Sequence, residues 1–232
     1  MAVNFDGTND YFTFPDSPST VNISPGTWSF WANVARATTT PRVWGKGAGA
    51  GKTIGVQFSA AQTAFQFNAR FSLGDLNLRS SPNSLVLNKW NHWAVTWDGT
   101  NLTSGVKMYL NTVETTYVDG TNGVEIAPND SGIAGAVGAS NAAANDFNGQ
   151  IMHLQVWRRI LSVDEIRQSM YLPGSVSEDL VQHYPLDYAR PVMSDYSKYG
   201  NNGTSAGITT VLNSNAGVTS QWVVPEASFC AV

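Results

Sequence analysis

The sequence predicts an all-β fold, an antiparallel two-sheet jelly-roll sandwich with one short helix near 162–171. Three observations carry this. The first is the stretch from Asn88 to Asn111. There Trp93, Val95 and Trp97 alternate with Ala94 and Thr96, Asp98-Gly99 follows, and Val106, Met108 and Leu110 alternate on the way back. A period of two is what a strand with one buried face needs, and Asp-Gly suits a turn that demands positive φ. The second is the number of short alternating runs set between turn-forming residues, the pattern of a sandwich. The third is composition. Hydrophobic residues make up 42% of the chain and charged ones 13%, about half the usual ~25%. Surface polarity therefore falls to Asn, Thr, Ser, Gln and Gly.

Taken in order, residues 2–16 read as a strand, a turn at Asp6-Gly7 and a strand. Thr27–Val34 is an aromatic-rich strand, and Arg36–Gly51 reads as a long loop ending in a glycine-rich run. Ile54–Ser59 and Ala64–Phe71 are strands, with Phe65, Phe67, Ala69 and Phe71 on one face. After the Trp90–Leu110 pair, Thr112–Val118 continues into another strand, with short strands near Val124–Ala127 and Ala134–Gly138. Gln150–Arg158 is a long strand. The helix follows from a capping box, Ser162 to Glu165, with Leu161 and Ile166 placed for a hydrophobic staple. Pro173-Gly174 stops it. The core is expected over 1–172, with 173–232 adding strands to the same sandwich before a polar tail. DGTN occurs at Asp6–Asn9, Asp98–Asn101 and Asp119–Asn122 and reads as one turn solution used three times.

Several function classes fall away. Net charge is −4 and no basic run exists, so no nucleic acid is expected as a partner. No apolar stretch reaches the ~18 residues of a membrane span, and no signal peptide precedes Val3. The single cysteine, Cys230, excludes an internal disulfide and a Cys-based zinc site. His92, His153 and His183 show no metal spacing and read as structural. The run Lys46–Lys52 lacks the spacing and the helix of a phosphate loop.

Three segments together resemble the laminin G-like members of the concanavalin A-like lectin/glucanase superfamily. They are Val3–Phe14, the Trp90–Leu110 hairpin and Phe147–Ile166. The C-terminal LVQHYPLD and DYSKYGNNGT look like the strand and loop usually found before the opening strand of such domains. Similar arrangements are familiar from phage and environmental proteins. Where many relatives read Ile-Asp-Glu, this chain has Ile151-Met152-His153, so the metal role attached to those carboxylates does not carry over. Asp6, Asn9, Asp10 and Asp146 are alternative oxygen ligands for calcium, weighed against plain turn capping. No cofactor is otherwise expected.

The resemblance requires a test for glycoside hydrolysis, which in retaining enzymes needs two carboxyls about 5–5.5 Å apart. None of Glu114, Glu125, Glu165, Glu178 and Glu226 shares a strand with a carboxylate at i+2 or i+4, so an enzyme is not expected. Glycan binding would use an exposed aromatic for stacking and Asn or Asp for hydroxyls. Trp44, Tyr117, Asn141, Asn145 and Asp146 are the candidates, and Trp222 is the other tryptophan not assigned to the core. Two readings follow. The first is a non-catalytic structural or display protein on a virion surface, such as a phage capsid decoration, with capsid proteins or its own copies as partners. The alternative is a carbohydrate-binding module at a cell surface, with surface glycans as partners. A virion or extracellular location is expected for either.

Overall fold

A computed structural model describes residues 2–37, 40–47, 53–59, 64–140 and 145–206. The strands are β1 (Val3–Asp6), β2 (Tyr11–Phe14), β3 (Gly26–Arg36), β4 (Arg42–Lys46), β5 (Ile54–Ser59), β6 (Ala64–Arg70), β7 (Asp75–Ser80) and β8 (Trp90–Trp97). They continue as β9 (Val106–Leu110), β10 (Val113–Glu114), β11 (Tyr117–Thr121), β12 (Gly135–Val137), β13 (Asn148–Trp157), β14 (Leu180–Tyr184), β15 (Val192–Met193) and β16 (Gly203–Ala206). The helix α1 spans Val163–Tyr171. One sheet runs β1-β13-β3-β8-β9-β10, with β14 also on β13; the other runs β11-β7-β6-β5-β4-β12-β2-β16-β15. Every strand pair is antiparallel. The predicted fold class is the observed one.

Aromatic rings from the two sheets meet in the middle. Trp28 packs on Trp44 at 5.5 Å, Phe65 on Trp93 at 5.1 Å and Phe67 on Trp97 at 5.6 Å, centroid to centroid. Each pair takes one ring from each sheet, so the hydrophobic term and the sheet-to-sheet alignment come from the same contacts. The register Trp93↔Leu110 and Trp97↔Val106 is the one the alternation predicts. The alternate face of β8 is buried too. Ala94 joins Tyr109, Trp157, Leu161, Ile166, Val176 and Leu180 in a second cluster beneath α1.

The capping box is present. Glu165 N–H donates to Ser162 Oγ (3.3 Å), and Ser162 N–H donates to Glu165 Oε2 (2.8 Å). The Arg159 guanidinium, at 2.7 Å from Glu165 Oε1, and the Ser162 N–H hold that carboxyl down at about 2, against the opposing effect of burial. Replacing Ser162 with alanine is expected to cost about 1 kcal/mol, since one orphan helix donor loses its acceptor. A melting point lowered by about 2–4 °C checks this.

Some expectations change. Residues 42–46, assigned to a loop, form β4 between β5 and β12. The glycine run that follows masks a strand signal only five residues long. Around Val124 only a single bridge to Gly74 forms, and Val124 and Ile126 stay exposed. Two of the three DGTN segments are the expected turns. Thr8 N–H donates to Asp6 Oδ1 and Thr100 N–H to Asp98 Oδ1, with Gly7 and Gly99 at φ +83° and +88°. The third is strand: Asp119–Thr121 pair with β7, and the Arg79 guanidinium engages the Asp119 carboxylate. Tertiary pairing there overrides the local turn preference. Asp75–Ser80 form a further strand, β7, with Leu76, Leu78 and Ser80 facing inward.

At Gly7 the chain leaves the first sheet for the second, so β1 and β2 are not a hairpin. The C-terminal strands join both layers. β14 lies along β13 end to end with β1, and the two meet where Val3 N–H donates to Leu186 O at 2.7 Å. β15 and β16 extend the second sheet beyond β2.

Candidate functional site

Trp44 does not reach the surface. It lies on β4, is fully buried, stacks on Phe14 at 5.6 Å, and its Nε1–H donates to Gln182 Oε1 at 2.9 Å. A ring closed on both faces cannot stack on a ligand, so this candidate is corrected to core. Asn141 and Trp222 lie outside the described residues. Asn145 is exposed with φ +60°, and its carbonyl accepts from Arg42 N–H at the start of β4. Asp146 follows it, half-buried, with Oδ1 shielded and without a hydrogen-bond partner among the described residues. β4 stands four strands from β11, which carries Tyr117. At ~4.8 Å per strand that is about 19 Å. Tyr117 and the Asn145–Asp146 pair therefore do not form one site.

Tyr117 does line a groove. β9 and β10 end the first sheet, β7 and β11 end the second, and between these edges the sandwich stays open. The opening has a volume of about 390 Å³, within the roughly 300–1,000 Å³ of small-molecule sites. Its floor includes Leu78 and Val106 and its rim Thr103, Ser104, Lys107, Glu114 and Asp119. The Tyr117 hydroxyl accepts from Met108 N–H at 3.0 Å and donates to Glu114 Oε1 at 3.1 Å. Burial, then the Glu114 charge, push the phenol above its ordinary pKa, against the Met108 N–H, so it stays a donor. Lys107 Nζ lies 3.5 Å from Glu114 Oε2, and Arg79 forks onto Asp119. Each carboxylate thus has a cation or a phenol beside it. The groove offers an aromatic ring, two hydroxyls, two acids and an ammonium, enough to hold a polyhydroxylated ring by stacking and by paired donors and acceptors.

The proposed calcium ligands are only partly together. Asp10 Oδ2 accepts from Asp6 N–H at 2.8 Å, and burial first, then the charges of Asp6 and Asp146, raise the Asp10 carboxyl. Asn9 serves the turn at φ +65°. Among the described residues no group of three His, Cys, Asp or Glu side chains is arranged to hold a metal. The histidines are packed into the structure. His92 Nε2 lies 2.8 Å from Ser29 Oγ beneath Trp31, and His183 is buried on β14. Lys46, the first residue of the glycine run, is fully buried at the end of β4, 2.5 Å from Asp16 and 3.1 Å from Asp130.

Sequence reasoning named Tyr117 but not its neighbours in the groove. Lys107 and Glu114 sit on antiparallel strands joined by a short turn, a visible cue; Thr103, Ser104 and Asp119 reach the groove only through the pairing of distant edges.

Comparison with known proteins gives the family of the fold. A family model of laminin G type, described as Concanavalin A-like lectin/glucanases superfamily, matches residues 6–167. Curated proteins gave no match. Among solved structures, a candidate carbohydrate binding protein from Bacteroides ovatus superposes with a TM-score of 0.64 at 19% identity. The match covers 90% of this chain and 60% of that one, so the chain spans 60% of that relative's length. The Ruminococcus gnavus IT-sialidase CBM40 bound to α2,3 sialyllactose gives 0.51 at 14% identity, covering 71% of this chain and 95% of that one. Domain 4 of an extracellular arabinanase from Geobacillus stearothermophilus, in complex with arabinotriose, gives 0.51 at 17% identity, over 71% and 74%. At these identities the likeness establishes the fold.

Proposed function

The chain belongs to the concanavalin A-like lectin/glucanases superfamily, and from that premise we propose that it is a non-catalytic carbohydrate-binding module working through the groove at Tyr117. The observation that carries this is the groove itself: an aromatic ring, hydroxyls and charged groups around an open space of about 390 Å³. Two of the structural relatives named above hold oligosaccharides in their solved forms, which supports the same reading. The virion-decoration reading has no counterpart among those relatives and ranks below it. A setting outside the cell, where glycans are displayed, goes with the proposal.

Binding to a glycan array, with and without calcium, tests it. The expected result is at least one ligand class, with Tyr117→Ala weakening it about tenfold, or about 1.4 kcal/mol. Tyr117→Phe keeps the ring and should stay within about threefold. An array without hits, or a Tyr117→Ala variant that binds like the parent while remaining folded by circular dichroism, would sink the assignment.

A further inference from the structure

The Tyr117 groove owes its shape to an irregularity in β11. Tyr117 pairs with Ser80 and Asp119 with the next residue of β7, Arg79, so Val118 is bulged out between them. A bulge of one residue reverses the alternation of a strand. Ser80 is buried and faces inward, and Tyr117 faces inward opposite it. Asp119, two residues on, sits on the other face and takes the Arg79 guanidinium. Gly120 then returns to the inward side, opposite Leu78 on the groove floor.

The backbone at Gly120 does not ask for glycine, since its φ lies outside the left-handed region. What glycine supplies there is space. A Cβ would stand 2.9 Å from Leu78 Cδ1, 2.9 Å from Thr103 Cγ2 and 3.1 Å from Asn77 O. The two nearest atoms are the ends of side chains that line the groove. Any larger residue at 120 therefore takes its volume from the opening.

Charge sets a second condition. Lys107 is the one cation lining the groove among the described residues, and its Nζ lies 3.5 Å from Glu114 Oε2. Arg79, beside the rim, donates from Nε to Asp119 Oδ1 at 2.8 Å. The Tyr117 hydroxyl donates to Glu114 Oε1. A carboxylate entering here gives up hydration, which is costly unless a free cation replaces it. It would find both cations beside acids and would stand near Glu114 and Asp119 itself. Ion pairs at this exposure contribute little on their own, so the discrimination comes from the lack of a spare cation and from like-charge repulsion. A sugar hydroxyl meets neither obstacle. It both donates and accepts, so it joins the pairs already present.

We infer that the groove selects uncharged saccharides over uronic and sialic acids, and that Gly120 is the residue that gives the sugar its room. The ring stacks on Tyr117, its hydroxyls donate to Glu114 and Asp119 and accept from Lys107, and its edge occupies the space a side chain at 120 would fill. This selectivity rests on the carbohydrate reading of the groove, and the two can fail separately.

Calorimetric titration of the full chain tests it with matched probes: lactose against 3′-sialyllactose, and galactotriose against trigalacturonate, with arabinotriose and cellotriose as further neutral ligands. At least one neutral probe should bind, about tenfold or more tighter than its acidic counterpart. Its Kd should change less than about twofold between roughly 50 and 500 mM NaCl, because no net charge is neutralised. Gly120→Val should weaken it about tenfold or more, and Gly120→Ala by less, with circular dichroism and the urea midpoint showing that each variant is folded. Glu114→Gln keeps an acceptor for Tyr117 and frees Lys107; it should raise affinity for the acidic probes about tenfold. Acidic probes that bind the parent as well as the neutral ones, and lose binding in Tyr117→Ala, overturn the selectivity and leave the groove reading standing. A folded Gly120→Val variant that binds like the parent overturns the role of Gly120. No heat from any probe together with a blank glycan array ends both readings.

Discussion

Replacing Lys46 with methionine is expected to destabilise the protein by about 3–5 kcal/mol, the range for breaking a buried ion pair from one side. Lys46 Nζ is enclosed completely, donating to Asp16 Oδ1 at 2.5 Å, Thr20 O at 3.0 Å and Asp130 Oδ1 at 3.1 Å. Asp130 is enclosed completely as well, and its Oδ2 has no partner among the described residues. Removing the ammonium strands that carboxylate in a low-dielectric interior. The same ammonium ties β4 to the β2–β3 and β11–β12 connections, where Asn22 and Asp130 exchange backbone-to-side-chain bonds at 2.8 and 2.9 Å. Urea denaturation measures the loss directly. A double variant, Lys46→Met with Asp130→Asn, should recover part of it, because the stranded charge is gone. A single variant within 1 kcal/mol of the parent would show that Asp130 finds relief elsewhere.

The second large effect concerns pH. Burial lowers His92 from 6.5 to about 3. His183 falls to about 4, chiefly by burial and then by the nearby His153, against the pull of Asp195. Both folded values lie below the unfolded one. The unfolded chain therefore takes up protons first as pH falls, and stability that is complete above about 6.5 drains away below it. At pH 5 each histidine costs about 2 kcal/mol relative to pH 7, or about 4 kcal/mol together. His153 is lowered in the same direction by burial. Asp10, raised by burial, works the other way and offsets a part. Urea midpoints at pH 7 and pH 5 report the sum, and His92→Gln should remove close to half of the difference. Equal midpoints at the two values would contradict the burial argument.

The β8–β9 pair was legible because its period, its Asp-Gly and its aromatic content all agree. The helix was legible because a capping box is a local device. Trp44 was not. The four residues around it, Val43 to Lys46, alternate too briefly, and the glycines after them carry the stronger signal for a loop. Its burial depends on Phe14 and Trp28, which are distant in sequence. Tyr117 could be picked as an aromatic near a turn, but the groove exists only once the edges of two sheets are set beside each other. The same holds for the third DGTN, whose fate is decided by Arg79 on a neighbouring strand. Local chemistry is written locally; a site made by two sheet edges is not.

The distribution of indole rings has a practical consequence for finding the ligand. Among the described residues Trp28, Trp44, Trp93, Trp97 and Trp157 are sealed in the interior, Trp31 and Trp90 are half-buried, and none of them lines the Tyr117 groove. The emission of these five buried rings will therefore follow unfolding and respond little to a sugar docked at Tyr117. A ligand screen read by intrinsic fluorescence quenching would under-report a binder seated on Tyr117. Calorimetry, or detection on the sugar itself, is the readout to which this molecule would answer.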